Sequence, residues 1–305
     1  MTFFIKKLVR RPELIFRPLQ IIKRLKWIFS KNTEAKKVSL PWGMKINACP
    51  RDRIGSSILK TGTYDTVLLE CLSRLINPGE IGLDIGANHG LMTSLMAKSS
   101  GPKGEVIAFE AHPEIFSILK ENASDWREEL SISKIKTENL AVSDHVGNAE
   151  LFITNEFESN QGSASMSESS DSNKIIDRIH VKTTTLDTYF RDMQEYIGVC
   201  KIDIEGHEKA ALDGAKELLN QKKIRDIIYE DHMGYPSPTS DLLEHYGYKI
   251  FFLRKGLFKP LLLDANTVRY ELPNYLATIE PNRACLLYTS PSPRDVEESR
   301  MPSSA

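Results

Sequence analysis

From Pro78 onward the chain alternates short apolar runs with segments whose apolar residues recur at helical spacing. Ile81–Ile85 reads as a buried strand, Leu91–Lys98 as a helix, Glu105–Glu110 as a second strand, and Pro113–Asn122 as a helix with proline in its first turn. Strands over Ile135–Val142, Ala149–Thr154 and Val199–Ile204 follow, then a helix over Glu208–Asn220 and a strand over Ile224–Glu230. A helix over Thr239–Tyr246 and a strand over Tyr248–Leu253 complete the pattern. Such alternation predicts an α/β architecture: a mostly parallel, doubly wound sheet with helices on both faces, binding ligands where the carboxyl ends of its strands diverge.

Two stretches break the pattern. Asn155–Lys174 carries seven serines and almost no apolar residue, so it predicts a loop within the domain, either a linker or a lid. Met1–Asn32 holds nine Lys or Arg against one acid, Glu13, a charge of +8 that leaves −9 on the rest of a chain whose formal net charge is −1. After Pro18, Leu19, Ile22 and Leu25, or Ile21, Leu25, Ile28 and Phe29, recur at helical spacing among Lys23, Arg24 and Lys26. Residues 1–60 therefore read as a basic, partly helical extension. Its helix could lie on an anionic membrane surface or pack against protein.

No apolar run reaches the roughly 20 residues needed to span a bilayer, and basic residues interrupt every candidate signal core. Composition is that of a globular chain of 305 residues, 41% hydrophobic and 27% charged. Four scattered cysteines without a CxxC pair point to a reducing, cytoplasmic setting, at most peripheral to the inner face of a membrane. Cys285–Ala305 looks like translated read-through and is left out of the fold reading.

Candidate chemistry begins at "LDIGANHG". The first strand ends in Asp84 and Ile85, and the turn Gly86-Ala87-Asn88-His89-Gly90 opens a helix. A dinucleotide fingerprint needs G-x-G-x-x-G, and this G-x-N-x-G turn lacks it. An acid at the strand end suits a ligand bearing an ammonium group, where a pyrophosphate would be repelled. Glu110 ends the next strand, where Rossmann-like folds hydrogen-bond both hydroxyls of a ribose. An ammonium at Asp84 and a ribose at Glu110 describe S-adenosylmethionine.

"LDIGANHG", "VIAFEAHPEIFSILKEN", "NLAVSDHVGNAELF", "TTLDTYF" and "CKIDIEGHEKAALDGAKELL" occur in one collinear order from about Cys71 to about Ala277. Together they resemble the FkbM-type methyltransferases, a branch of the class I S-adenosylmethionine-dependent fold. The resemblance implies a seven-stranded, Rossmann-like sheet in a methyltransferase domain spanning about 61–280, and O-methylation of a sugar or natural-product hydroxyl. It also implies that Asp84, Gly86, Asn88 and Gly90, with Ala87 beside them, line the methionine part of the donor. Glu110 would hold the ribose next to Ala111, and Ala141 with Asp144 would lie toward the adenine, together with Asn139 and His145. Ala111 and His112 replace the commoner proline-containing step after the acid.

Methyl transfer needs an acceptor oxygen held in line and a base near it. In "KIDIEGHE", Lys201, Asp203 and Glu205 alternate with Cys200, Ile202 and Ile204, so the strand pattern carries the two acids to one side of the sheet's carboxyl edge. His207 is a further candidate base, and Glu208 falls where a helix N-terminus favours an acid. The neighbouring strand ends in Glu230-Asp231-His232, so Glu230 and His232 join the candidate catalytic set. Asp203, Glu230 and Asp231 could instead hold Mg²⁺ against a substrate diol, and the residues leave metal-dependent and metal-free chemistry both open.

The acidic domain after residue 32 offers no basic, aromatic-studded stripe for nucleic acid, so the expected acceptor is a small molecule or glycan. The alternatives are a nucleotide-dependent oxidoreductase and a non-catalytic module that keeps the cofactor fold.

Overall fold

The computed structural model describes residues 36–50, 53–154, 157, 164–166, 175–256, 260–267 and 274–289. The expected helix within residues 1–32, most of the serine-rich segment 155–174 and residues 290–305 lie outside the described residues.

Two antiparallel strands, β1 (Lys36–Ser39) and β2 (Lys45–Ala48), and two helices, α1 (Arg53–Thr61) and α2 (Thr66–Leu75), precede the alternating region. β3 (Ile81–Ile85), α3 (Leu91–Ser100), β4 (Glu105–Phe109), α4 (Pro113–Trp126) and β5 (Lys134–Glu138) follow. Next come β6 (Ala141–Val142), β7 (Gly147–Thr154), β8 (Ile175–Thr184) and α5 (Leu186–Tyr189). The chain continues with β9 (Ile197–Ile202), α6 (Glu208–Asp213), α7 (Lys216–Asn220), β10 (Ile224–Glu230) and α8 (Pro238–His245). It ends in β11 (Lys249–Lys255), β12 (Pro260–Asp264), β13 (Asn274–Thr278) and α9 (Pro281–Thr289).

The central sheet has the order β12-β11-β13-β10-β9-β3-β4-β5. β5, β4, β3, β9 and β10 are parallel neighbours, while β13 runs antiparallel to both β10 and β11 and β12 antiparallel to β11. Six strands thus share one direction in a doubly wound, Rossmann-like sheet whose order reverses between β3 and β9. Every residue of β9 is buried, as a central strand covered on both faces requires. One large apolar core holds Leu72, Leu75, Met96 and Trp126 with Val199 and Ile228; a second holds Leu83, Phe109, Cys200, Leu212, Leu243 and Tyr275.

Three expectations change. Ala149–Thr154 does not join the central sheet but pairs with β8 in a separate three-stranded sheet, which β6 enters beside β8. The expected strand Ile135–Val142 therefore divides between two sheets. Places in the central sheet are taken instead by β12 and β13, whose sequences lie beyond the alternating pattern, and the strand count rises to eight.

The expected helix Glu208–Asn220 splits at Gly214, where a Cβ would meet the carbonyl oxygen of Ser143 at 2.1 Å. Asp187 restarts it by accepting the backbone N–H groups of Glu217 and Leu218 at 2.9 and 3.0 Å. Residues 285–289, set aside in the sequence reading, close helix α9, where Tyr288 is buried. Among the described residues no helix is long and apolar enough to cross a membrane.

Candidate active site

A cavity of about 280 Å³ opens where the sheet order reverses, at the carboxyl ends of β3, β4, β9 and β10. The turn after β3 and the segment after β9 touch backbone to backbone there. Asp203 N donates to Ile85 O at 3.1 Å, and a Cβ on Gly86 would stand 2.0 Å from Asp203 O. Gly86 also has φ +76, a left-handed value that glycine adopts without cost. Gly86 N and Ala87 N donate to Phe109 O at 3.0 and 2.9 Å, which ties this turn to the end of β4.

Glu110 closes one side of the cavity. Its Oε2 accepts the N–H of Asn88 and its Oε1 that of His112, each at 2.9 Å. Burial pushes its pKa up, opposed by those two N–H groups and by Lys201. Asn139 donates to the carbonyls of Glu110 and Ala111, so the "NLAVSDH" segment braces this strand end. Phe109, Leu140, Ala141, Val142 and Leu151 give the cavity an apolar wall.

The opposite side is acidic. β9 stops at Ile202, one residue before the acids that its alternation carried to the edge, and Glu205 takes a left-handed φ of 53 ahead of Gly206 at φ 93. Three bonds hold this turn: Glu208 Oε1 accepts Ile204 N at 3.0 Å and Gly206 N at 3.2 Å, and Ser165 Oγ donates to Glu205 O at 2.6 Å. Burial first, then Asp203 and Glu208, push Glu205 up to about 7. Burial, then Asp203, Glu205, Glu208 and Asp65, push Glu230 up to about 8. His232 Nε2 lies 3.4 Å from Glu230 Oε1.

The cavity thus gathers Gly86, Ala87, Asn88, Glu110, Ala111 and Ala141 at one side and Asp203, Glu205, Glu230 and His232 at the other. The remaining candidates stand away from it. Asp84 is fully buried behind the wall, with Thr93 Oγ1 donating to its Oδ2 at 2.6 Å and the Lys201 ammonium 3.2 Å from its Oδ1. Gly90 starts α3 at φ +89 and packs toward Leu119 and Trp126. Asp144 is exposed and paired with His145, and His207, half-buried with its pKa lowered by burial, faces Ser143 Oγ at 3.0 Å.

Asp231 is turned inward, accepting from Ser237 Oγ at 2.5 Å and Met233 N at 2.9 Å. Its carboxylate is thereby engaged in the loop after β10, outside the cavity lining that Asp203 and Glu230 share. No group of three or more His, Cys, Asp or Glu among the described residues is arranged to hold a metal.

Several lining residues escaped the sequence reading. Arg53 comes from α1, Tyr64 and Asp65 from the loop between α1 and α2, and Asn274 from β13. Asp65, at φ 42, caps α2 by accepting Leu68 N at 3.1 Å, and burial raises its pKa. Lys201 also lines the cavity, and a readable signal marked it: a lysine inside an apolar central strand needs a buried partner.

The profile of the methyltransferase FkbM domain matches residues 84–250. Among solved structures, the methyltransferase FkbM of Methylobacillus flagellatus KT is 16% identical over 65% of this chain and 43% of that one, with a TM-score of 0.40. The present chain therefore spans less than half of that protein. An O-methyltransferase from Bacillus cereus in complex with SAH is 14% identical over 70% of this chain and 80% of that one (TM-score 0.38). A SAM-dependent O-methyltransferase from Thermotoga maritima is 14% identical over 83% and 80% (TM-score 0.38). No curated protein matches.

Proposed function

Because the chain belongs to the FkbM methyltransferase family through residues 84–250, we propose that it moves a methyl group from S-adenosylmethionine to a hydroxyl of a sugar, glycolipid or secondary metabolite. The observation that carries this reading is the two-sided cavity, with a glycine turn and Glu110 on one wall and Asp203, Glu205 and Glu230 on the other.

The residues present suit the donor. At Gly86 a side chain is excluded by the Asp203 carbonyl, leaving bare backbone at the wall. Each carboxylate oxygen of Glu110 uses one acceptor site on a backbone N–H and keeps capacity for a ribose hydroxyl. Phe109, Leu140, Ala141 and Val142 suit a flat heteroaromatic ring. S-adenosylmethionine, when bound, supplies an electrophilic methyl on a sulfonium.

The chain's own part is orientation and proton removal. Orienting the acceptor against the opposite wall can supply about 7–11 kcal/mol to a displacement reaction. Glu205 and Glu230, raised to about 7 and about 8, are basic enough to take the hydroxyl proton near neutral pH. His232, next to Glu230 and open to solvent, gives that proton a way out. Strand-edge carboxylates on the wall opposite the glycine turn suit an oxygen acceptor with several hydroxyls, since each carboxylate can accept two or more hydrogen bonds.

The test is to incubate the chain with S-adenosylmethionine and a panel of sugars and glycolipids, with and without EDTA, and to measure S-adenosylhomocysteine. Donor-dependent product with at least one hydroxylated acceptor supports the reading. Calorimetric binding of NADH in place of S-adenosylmethionine would overturn it.

A further inference from the structure

Lys201 belongs to no candidate role described above, yet it is the buried cation at the junction of the two walls. Its side chain leaves the fully buried strand β9 and lines the cavity. Nζ donates to Gly86 O at 2.7 Å, lies 3.2 Å from Asp84 Oδ1, and lies 3.7 Å from Asp203 Oδ2. One ammonium therefore touches β3, the turn that follows it, and the segment after β9. An ammonium in such a place is costly unless paired. Burial alone would lower its pKa, but Asp84 and Asp203 outweigh that and raise it, so the group stays charged.

Asp84 is the other half of this arrangement. It is fully buried, it does not line the cavity, and its two oxygens face Thr93 and Lys201. A ligand ammonium could reach it only by displacing Lys201 or by setting a second cation beside the first. Gly86 O is held by Lys201 while Gly86 N is held by Phe109 O, so the turn is fixed from both sides.

We propose that Lys201 is the positioning residue for the methionine end of the donor, and that Asp84 acts on the donor through Lys201 and the Gly86 turn without touching the donor's ammonium. The proposal rests on the donor assigned under Proposed function. The ribose and adenine end is governed by the apolar wall and by Glu110, whose oxygens bond the backbone N–H groups of Asn88 and His112 and which Lys201 reaches only through its charge.

The test compares two probes by calorimetry: S-adenosylhomocysteine, which carries the amino-acid end, and 5′-methylthioadenosine, which lacks it. Wild type, Lys201→Met, Asp84→Asn and the double variant are measured in the full chain, each with a thermal melt. Lys201→Met should lose about tenfold or more in S-adenosylhomocysteine affinity, with 5′-methylthioadenosine affinity changed less than threefold, because Glu110 keeps its bond from His112 N and the apolar wall is untouched. A general structural defect would lower both alike, and equal losses overturn the proposal.

The double variant replaces the buried pair by neutral groups of similar size, so it should melt higher than Lys201→Met, which leaves Asp84 uncompensated. In the Lys201→Met background, Asp84→Asn should cost no further affinity for S-adenosylhomocysteine. If it costs as much there as in wild type, Asp84 touches the ligand itself and the inference is wrong. Wild type that binds neither probe removes the donor reading and this inference together, whereas binding with additive losses removes the inference alone.

Discussion

Glu110 Oε2 and Asn88 N are 2.9 Å apart, a bond that joins the tip of β4 to the turn after β3. Glu110 Oε1 takes His112 N at the same distance, so one carboxylate satisfies two backbone donors while lining the cavity. Glu110→Ala should leave both N–H groups without a partner, costing about 1–3 kcal/mol for each that stays buried. S-adenosylhomocysteine affinity should fall by about 10- to 100-fold as two ribose bonds are lost. Glu110→Gln, which keeps one acceptor oxygen, should fall between. Thermal melts and calorimetry on the same samples check both parts.

Gly86 and Gly101 both have positive φ, +76 and +66, but differ in what surrounds them. A Cβ at Gly86 would meet the Asp203 carbonyl oxygen at 2.0 Å, whereas one at Gly101 meets nothing within 4 Å. Gly101→Ala should therefore cost only the backbone strain of a φ 66, ψ −177 conformation that is nearly exclusive to glycine, about 1–3 kcal/mol. Gly86→Ala adds a backbone clash that no rotamer relieves, and should lower the melting temperature well beyond the Gly101 variant and abolish donor binding. Equal melts for the two variants would show that the turn at Gly86 and the segment at Asp203 do not approach this closely.

Glu230 carries a pKa raised to about 8, with Asp65, Asp203, Glu205 and Glu208 as its acidic neighbours and His232 beside it. The folded state therefore holds a proton that the unfolded carboxyl has released above its ordinary value of about 4.3. Folding stability associated with this group is fully present below that value and is lost as pH rises to about 8. Glu230→Gln should thus stabilise the protein at pH 8.5 relative to wild type, by roughly 1 kcal/mol after allowance for solvent screening, or about 2–4 °C. The gain should shrink toward pH 5. Catalytic rate moves in the opposite sense: activity of the wild type should climb from pH 6 to 8 as the carboxylates lose their protons, and a flat profile would remove Glu205 and Glu230 as bases.

Asp231 accepts the Ser237 hydroxyl, and Ser237 in turn caps α8 in a capping box with Ser240. Asp231→Ala should destabilise the loop and α8 start by about 1–3 kcal/mol, the usual cost of unpaired buried donors. Affinity for S-adenosylhomocysteine should not change. Melts with and without MgCl₂ separate this from a ligand role, because a magnesium-dependent rise in wild type that vanishes in the variant would assign Asp231 to a metal.

The alternation of strands and helices from β3 to β5 and from β9 to β11, the turn Gly86–Gly90 and the strand-tip acids Glu110, Asp203 and Glu230 were legible in the residues themselves. Apolar period, glycine and strand-end position are local properties that survive in any context. Partners were not legible, because they depend on which distant segments meet. Asp84 and Asp231 read alike as strand-tip acids, yet one is turned toward Lys201 and Thr93 and the other toward Ser237. Tyr64 and Asp65 reach the cavity from a helix-joining loop outside the alternating pattern, and β12 and β13 enter the sheet from beyond it. Sequence alone determined which groups this protein carries at its strand ends. Tertiary structure decided which of them face the cavity and which are spent on each other, because a buried charge takes whatever opposite partner the fold sets within a few ångströms.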